Sequence, residues 1–204
     1  MEALETRVIP LFPLSTVLFP DGPLPLRVFE PRYLDMVSRC MKNESEFGVL
    51  LILSGSETGP ETGAVRMASI GTTAGIQDWY QGSDGILGIT AVGGRRFKII
   101  SVNQEADGLY MGEVDDLDPE PGQRLPNDYD QMASLLELVI NDLGKLYENI
   151  ETHYDDATWV GRRFAEILPI SQAQKQRCLE MNDPLERLAF VRPLLRSIRQ
   201  ETWQ

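Results

Sequence analysis

The 204-residue chain contains one histidine and two cysteines. That scarcity closes off several chemistries at once. Cys40 and Cys178 lie far apart and no Cys-x-x-Cys pair occurs, so a zinc site of the Cys/His type cannot be assembled around His153. A nucleophilic centre of the Ser-His-Asp or Cys-His kind would rest on His153 alone, and no Gly-x-Ser-x-Gly elbow accompanies it. Both cysteines sit in apolar helical patterns, where a buried free thiol is expected rather than a disulfide. The phosphate-binding pattern Gly-x-x-x-x-Gly-Lys-[Ser/Thr] is missing, and Gly93-Gly94-Arg95-Arg96 lies among strand residues rather than ahead of a helix. No apolar run reaches the roughly 18 residues of a membrane span. The opening MEALETRVIP has neither a basic n-region nor an apolar h-region. The expectation is a cytoplasmic protein with no metal, no cofactor, no catalytic residues and no membrane partner.

Positive charge is also short. Nineteen Lys and Arg face 31 Asp and Glu, a net charge of −12. The deficit is concentrated in residues 105–156, which hold fifteen acidic side chains against Arg124 and Lys145. Such a block repels a phosphate backbone, so nucleic acid is a disfavoured partner. Arg95, Arg96 and Lys98 form a small basic cluster, but strand alternation sets Arg95 and Arg96 on opposite faces. Asp116-x-Asp118-x-Glu120 imitates the opening of a calcium loop, then places Pro121 where glycine is needed and Asn127 where glutamate is needed. A solvated acidic linker is the expectation for this stretch.

Proline is plentiful at the start. In LFPLSTVLFPDGPLPLRVFEPRY (11–33), prolines divide three apolar blocks. Pro20-Asp21-Gly22 is expected as a turn, with glycine accepting positive φ. Leu24, Leu26 and Val28 share one face of a strand whose Pro25 assigns it to an edge or a bulge, the prolines blunting an apolar edge against other chains. Glu30 and Pro31 begin a helix, with Phe29 placed to staple against Leu34. Strands resume at 47–53, and the runs ending in Trp79-Tyr80 and beginning at Gly85 form a hairpin about the loop 81–84. Scattered glycines suit the bulges and corners of a small β-barrel. From Met132 the period changes to that of a helix, carried by Leu135, Leu136, Val139, Ile140, Leu143, Leu146 and Ile150. Helices follow at about 157–168, after a capping box Ser171-Gln-Ala-Gln174, and after Asp183-Pro184-Leu185-Glu186, with Pro193 expected to kink or break the last. The fold class expected is α+β: a β-barrel over residues 1–118, an acidic Pro/Gly linker at 119–126, and a helical bundle over 127–204.

Several of these stretches together resemble the substrate-recognition domain at the N-terminus of ATP-dependent Lon proteases, a domain shared with cereblon-type ubiquitin-ligase receptors and small stand-alone bacterial proteins. They are Ile9-Pro10-Leu11-Phe12-Pro13-Leu14, Val17-Leu18-Phe19-Pro20, Leu24-Pro25-Leu26, Phe29-Glu30-Pro31-Arg32-Tyr33, Ile70-Gly71-Thr72 and Gly93-Gly94-Arg95-Arg96-Phe97-Lys98-Ile99. Leu168-Pro169-Ile170, Leu179-Glu180-Met181 and Glu186-Arg187-Leu188 resemble the helical half of the protease domain. The resemblance implies a PUA-like barrel and a non-enzymatic protein- or peptide-binding module, since neither the ATPase nor the Ser-Lys protease module of Lon is read in the chain. The expected partners are unfolded or exposed apolar protein segments, with the residues Phe29, Tyr33, Trp79 and Tyr80 as the candidate contact set. An adaptor or accessory subunit of a separately encoded ATP-dependent protease is one alternative. A PUA-like RNA-binding module is the other.

Overall fold

A computed structural model describes residues 6–55, 65–82 and 84–201, and divides the chain into two compact units, Met1–Asp118 and Pro119–Gln204. The first unit begins with β1 (Arg7–Leu14), an apolar strand with neighbours on both sides. It pairs parallel with β3 (Phe47–Ser54) and antiparallel with β7 (Tyr110–Asp116). β7 pairs with β6 (Leu87–Gln104), β6 with β5 (Ile70–Gln81), and β5 with β3, so the pairings return to β1 in a closed cycle of five strands. Two further strands lie off the cycle. β2 (Pro23–Val28) pairs with β6, and β4 (Arg66–Met67) with β3.

β6 spans 18 residues and serves three neighbours, which requires it to bend. Its register against β5 shifts between the pairs Thr72–Arg96 and Ala74–Gly93, the mark of a bulge beside Gly93-Gly94. Gly93 has a second reason to be glycine: a Cβ there would lie 2.1 Å from the Phe19 carbonyl oxygen. That approach lets the 19–22 turn dock on β6, with the Asp21 N–H donating to the Gly93 carbonyl (2.8 Å) and the Gly93 N–H to the Gly22 carbonyl (2.9 Å). Within the turn the positive φ falls on Asp21 (61°) rather than on the expected Gly22. Aspartate tolerates this region better than most side chains.

Helix α1 (Pro31–Asn43) starts as expected, with Glu30 at the N-cap and Pro31 in the first turn. Tyr33, Met36, Val37 and Cys40 are buried on one stripe, in the same apolar cluster as Phe12, Phe47 and Ile89. The start of the helix is held by Arg32, which bonds the Glu30 carboxylate (3.0 Å) and the Gly108 carbonyl (3.0 Å).

The second unit opens with an extended segment and then α2 (Asp130–Leu143), α3 (Ala157–Ile167), α4 (Gln172–Glu180) and α5 (Pro184–Glu201). α2 stops short of the expected stripe. Gly144 takes φ +53° at its end, a 3-10 turn follows, and Leu143 is 40% exposed while Met132, Leu136 and Ile140 carry the burial. α4 has the expected capping box on Ser171 and Gln174, and Asp183 accepts from the Leu185 N–H at the start of α5. Pro193 does not break α5, which runs through it as one helix.

The acidic stretch expected to be solvated is anchored within this unit at Glu120. Its side chain is buried and meets Arg187 at 2.7 Å and Arg162 at 3.1 Å, while the Pro121 carbonyl accepts from Thr158. A buried guanidinium needs a carboxylate, and this one reaches into the segment before α2 for it. Arg163, also fully buried, pairs with Glu166, which in turn accepts from the Tyr147 hydroxyl.

Candidate protein-binding surface

The antiparallel pairing of β3 with β5 covers only Val49–Thr72 to Phe47–Ala74. Past Ala74, among the described residues, β5 pairs with β6 alone, and β6 in turn carries β2, so three strands extend together towards the hairpin turn at residues 82–86. Three aromatic side chains stand at that end. Trp79 is 56% exposed, Tyr80 59% and Phe29 57%. Phe29 follows the last residue of β2, Val28, whose partner Leu87 is itself paired with Gln81. At the usual spacing between strands, β2 and β5 lie roughly 10 Å apart across β6.

The register decides how the aromatics are presented. Trp79 is opposite Ile89, whose side chain faces the core, so the indole continues the core-facing row beyond the point where the core ends. Tyr80 is opposite Gly88, which is opposite Arg27, and this row lies on the outer face. A Cβ on Gly88 would sit 2.2 Å from the Tyr80 ring, so the ring lies flat across the glycine backbone with its other side open. An aromatic laid down in this way has little conformational freedom left to lose on binding. Arg27 is paired with Asp84 of the hairpin turn. Trp79 and Tyr80 thus occupy opposite faces of one projecting edge instead of a single flat patch.

Tyr33 does not belong to this surface. It is 4% exposed and its ring stacks on Phe12 with centroids 4.0 Å apart, beneath the Arg32 guanidinium. It shares the buried stripe of α1 with Met36, Val37 and Cys40, and an aromatic there fills the core before it can meet a partner. Of the two aromatics in the Phe-Glu-Pro-Arg-Tyr stretch, Phe29 is the exposed one.

Sequence reasoning missed an open groove in the helical unit, about 610 Å³, lined by Glu137, Ile140, Lys145, Tyr147, Glu148 and Tyr154 among others. Its walls come partly from the irregular segment after Gly144, which has no periodicity to read. Burial and the nearby Glu137 carboxylate raise the Tyr154 phenol above its ordinary pKa. The basic cluster divides as alternation required: Arg96 is buried at 4% exposure and Arg95 points to solvent. Among the described residues there is no group of three or more His, Cys, Asp or Glu side chains that could hold a metal ion, and no helix long and apolar enough to cross a membrane.

Known proteins share this architecture. The chain is 37% identical to a crystallised Lon N-terminal domain protein from Xanthomonas campestris, covering 90% of this chain and 95% of that one with a TM-score of 0.72. A Lon protease from Xanthomonas oryzae pv. oryzae is 27% identical over 197 residues, 93% of this chain and 22% of that protein. Protein cereblon from Gallus gallus is 30% identical over 112 residues, 53% of this chain and 23% of that protein. The chain therefore spans about a quarter of the length of these longer relatives. The sequence model of the ATP-dependent protease La (LON) substrate-binding domain matches residues 8–197. With that match extending over nearly the whole sequence and both units, the chain belongs to the Lon substrate-binding domain family.

Proposed function

We propose that the chain is a recognition module that binds unfolded or extended apolar segments of other proteins and performs no chemistry on them. Its first unit is read as a PUA-like barrel, on the ground of the closed cycle of strand pairings. The observation that carries the functional reading is the group of half-exposed aromatics Phe29, Trp79 and Tyr80 at the free end of β5, β6 and β2. Such residues make large, rigid contacts at little entropic cost, and a hot-spot aromatic cut back to alanine typically loses ~2 kcal/mol or more of binding. Homology to a substrate-binding domain supports the same reading.

The test is Trp79→Ala and Tyr80→Ala, assayed for the urea midpoint and for binding of a reduced, carboxymethylated model protein. Unchanged midpoints with weakened binding support the reading. Binding unaltered in both stable variants removes these residues from the surface.

A further inference from the structure

The two outer edges of the projecting strands are built differently, and the difference points to how a client is held. β2 pairs with β6 alone, and it carries proline at positions 23 and 25. Proline has no N–H, so these two residues turn their backbone outward, away from β6. In an antiparallel strand each residue directs its N–H and C=O to the same side, and successive residues alternate. Leu24, Leu26 and Val28 therefore bond inward, to Ala91, Ile89 and Leu87.

The same alternation fixes the far side of β6. With Leu87 and Ile89 turned towards β2, Gly88 and Thr90 turn towards β5, where their partners are Tyr80 and Asp78. Trp79 and Gln81 are left facing outward, along an edge that β3 no longer covers. Two hydrogen bonds agree with this parity. The Gly82 N–H goes inward to the Ile86 carbonyl at 2.9 Å. The Trp79 N–H does not go to β6 but is taken by the Asp78 carboxylate at 2.8 Å. Residues 77–81 are all exposed, and no proline occurs between Ile70 and Gln81. One edge is closed covalently; the other is closed only by a carboxylate that can swing away.

We propose that the outer edge of β5 at Trp79–Gln81 takes an extended polypeptide segment as an added strand, with a basic side chain of that segment drawing Asp78 off the Trp79 amide. This rests on the recognition function above and gives it a mode. The chemistry of the occupant follows from the edge. Unpaired backbone groups in register are matched by another strand. A residue opposite Trp79 shares the indole's face and is best apolar, and one opposite Asp78 shares the other face and is best lysine or arginine. The net charge of −12 favours the same cationic class. Nearby Asp84 does not compete, because Arg27 holds it.

The experiment titrates the full chain with a short synthetic peptide of alternating valine and lysine, and with the same peptide methylated on alternate backbone nitrogens. Side chains and charge are equal in the two, so only strand pairing distinguishes them. The expected result is binding of the first peptide with slowed hydrogen exchange at the Trp79 and Gln81 amides. The methylated form should bind about tenfold more weakly, the order expected for loss of a backbone hydrogen bond or two. Gln81→Pro, which removes an outward N–H without touching the ladder to β6, should weaken the unmethylated peptide similarly. Asp78→Asn should weaken it at low salt but leave a serine-for-lysine version unaffected. Equal affinity for the two peptides, or exchange protection elsewhere in the chain, overturns the proposal. If a denatured client binds the wild type and Gln81→Pro equally well but not Tyr80→Ala, strand addition falls while the recognition function stands. If no client or peptide binds the wild type, both fall.

Discussion

The two units solve the problem of burial in opposite ways. The sheet unit has an apolar interior, with Arg96 as its buried cation and Phe47, Phe97, Leu50 and Met36 among its fully covered side chains. The helical unit buries Arg163 and Arg187 completely, and Glu120 with them. A core of hydrocarbon degrades in proportion to the volume removed. A core containing ions fails abruptly when one partner is lost, because the remaining charge has no water to turn to. Each unit also carries one buried cysteine, Cys40 in the first and Cys178 in the second. Alkylation of each thiol therefore reports separately on the opening of its own unit.

The largest effect should come from Arg187→Ala. It leaves the Glu120 carboxylate deprived of its closest cation, a change that typically costs about 3–5 kcal/mol. Pulsed alkylation read by mass spectrometry should show Cys178 reacting much faster and Cys40 unchanged; equal acceleration at both would mean that the units open together. Leu50→Ala should do the converse, at about 2–5 kcal/mol, with Cys40 the thiol that becomes reactive.

Alkaline pH should separate the units further. Burial pushes the Cys178 thiol from its ordinary 9.0 up to about 11, and burial with the Glu166 charge raises the Tyr147 phenol in the same direction. A raised folded pKa means that the native state holds the proton more tightly. The stability linked to Cys178 is thus complete below about pH 9 and is lost as pH climbs through about 11. Lys175, whose pKa is lowered by burial, works with the opposite sign. Cys178→Ala should therefore flatten the fall in urea midpoint over that window, by an amount on the order of 1–2 kcal/mol at its upper end. A contrast within the sheet unit ends on the smallest effect. Gly93→Ala drives a methyl into the fixed Phe19 carbonyl and should cost about 1–3 kcal/mol. Gly88→Ala first meets the movable Tyr80 ring, so its effect on the midpoint should be about 1 kcal/mol or less. Tyrosine fluorescence anisotropy should show that ring released.

What could be read from the sequence divides along physical lines. Signals confined to a few neighbouring residues were legible: the capping box at Ser171, the aspartate cap at Asp183, the Glu30-Pro31 helix start, the hairpin after Trp79-Tyr80, and the opposite faces of Arg95 and Arg96. Features set by distant partners were not. Glu120 reads as a solvated acid because nothing local announces Arg187, 67 positions later. Tyr33 reads as a contact residue because its stacking partner Phe12 is brought to it only by the fold. At the surface, the exposure of Trp79 and Tyr80 depends on β3 ending its pairing at Ala74, a matter of register that composition does not encode. The apolar stripe past Gly144 overstated α2 because periodicity is blind to one glycine at positive φ.

The closed strand cycle also has a consequence for the order in which the protein is made. β1 emerges from the ribosome first, yet one of its two partners, β7, is synthesised last in that unit, about a hundred residues later. At ~5–20 residues per second, the edge of β1 that belongs to β7 waits roughly 5–20 s for its match. Throughout that interval the nascent chain presents an unsatisfied strand edge of its own to other polypeptides. Until β7 arrives, β1 is itself an extended segment with one edge unmatched.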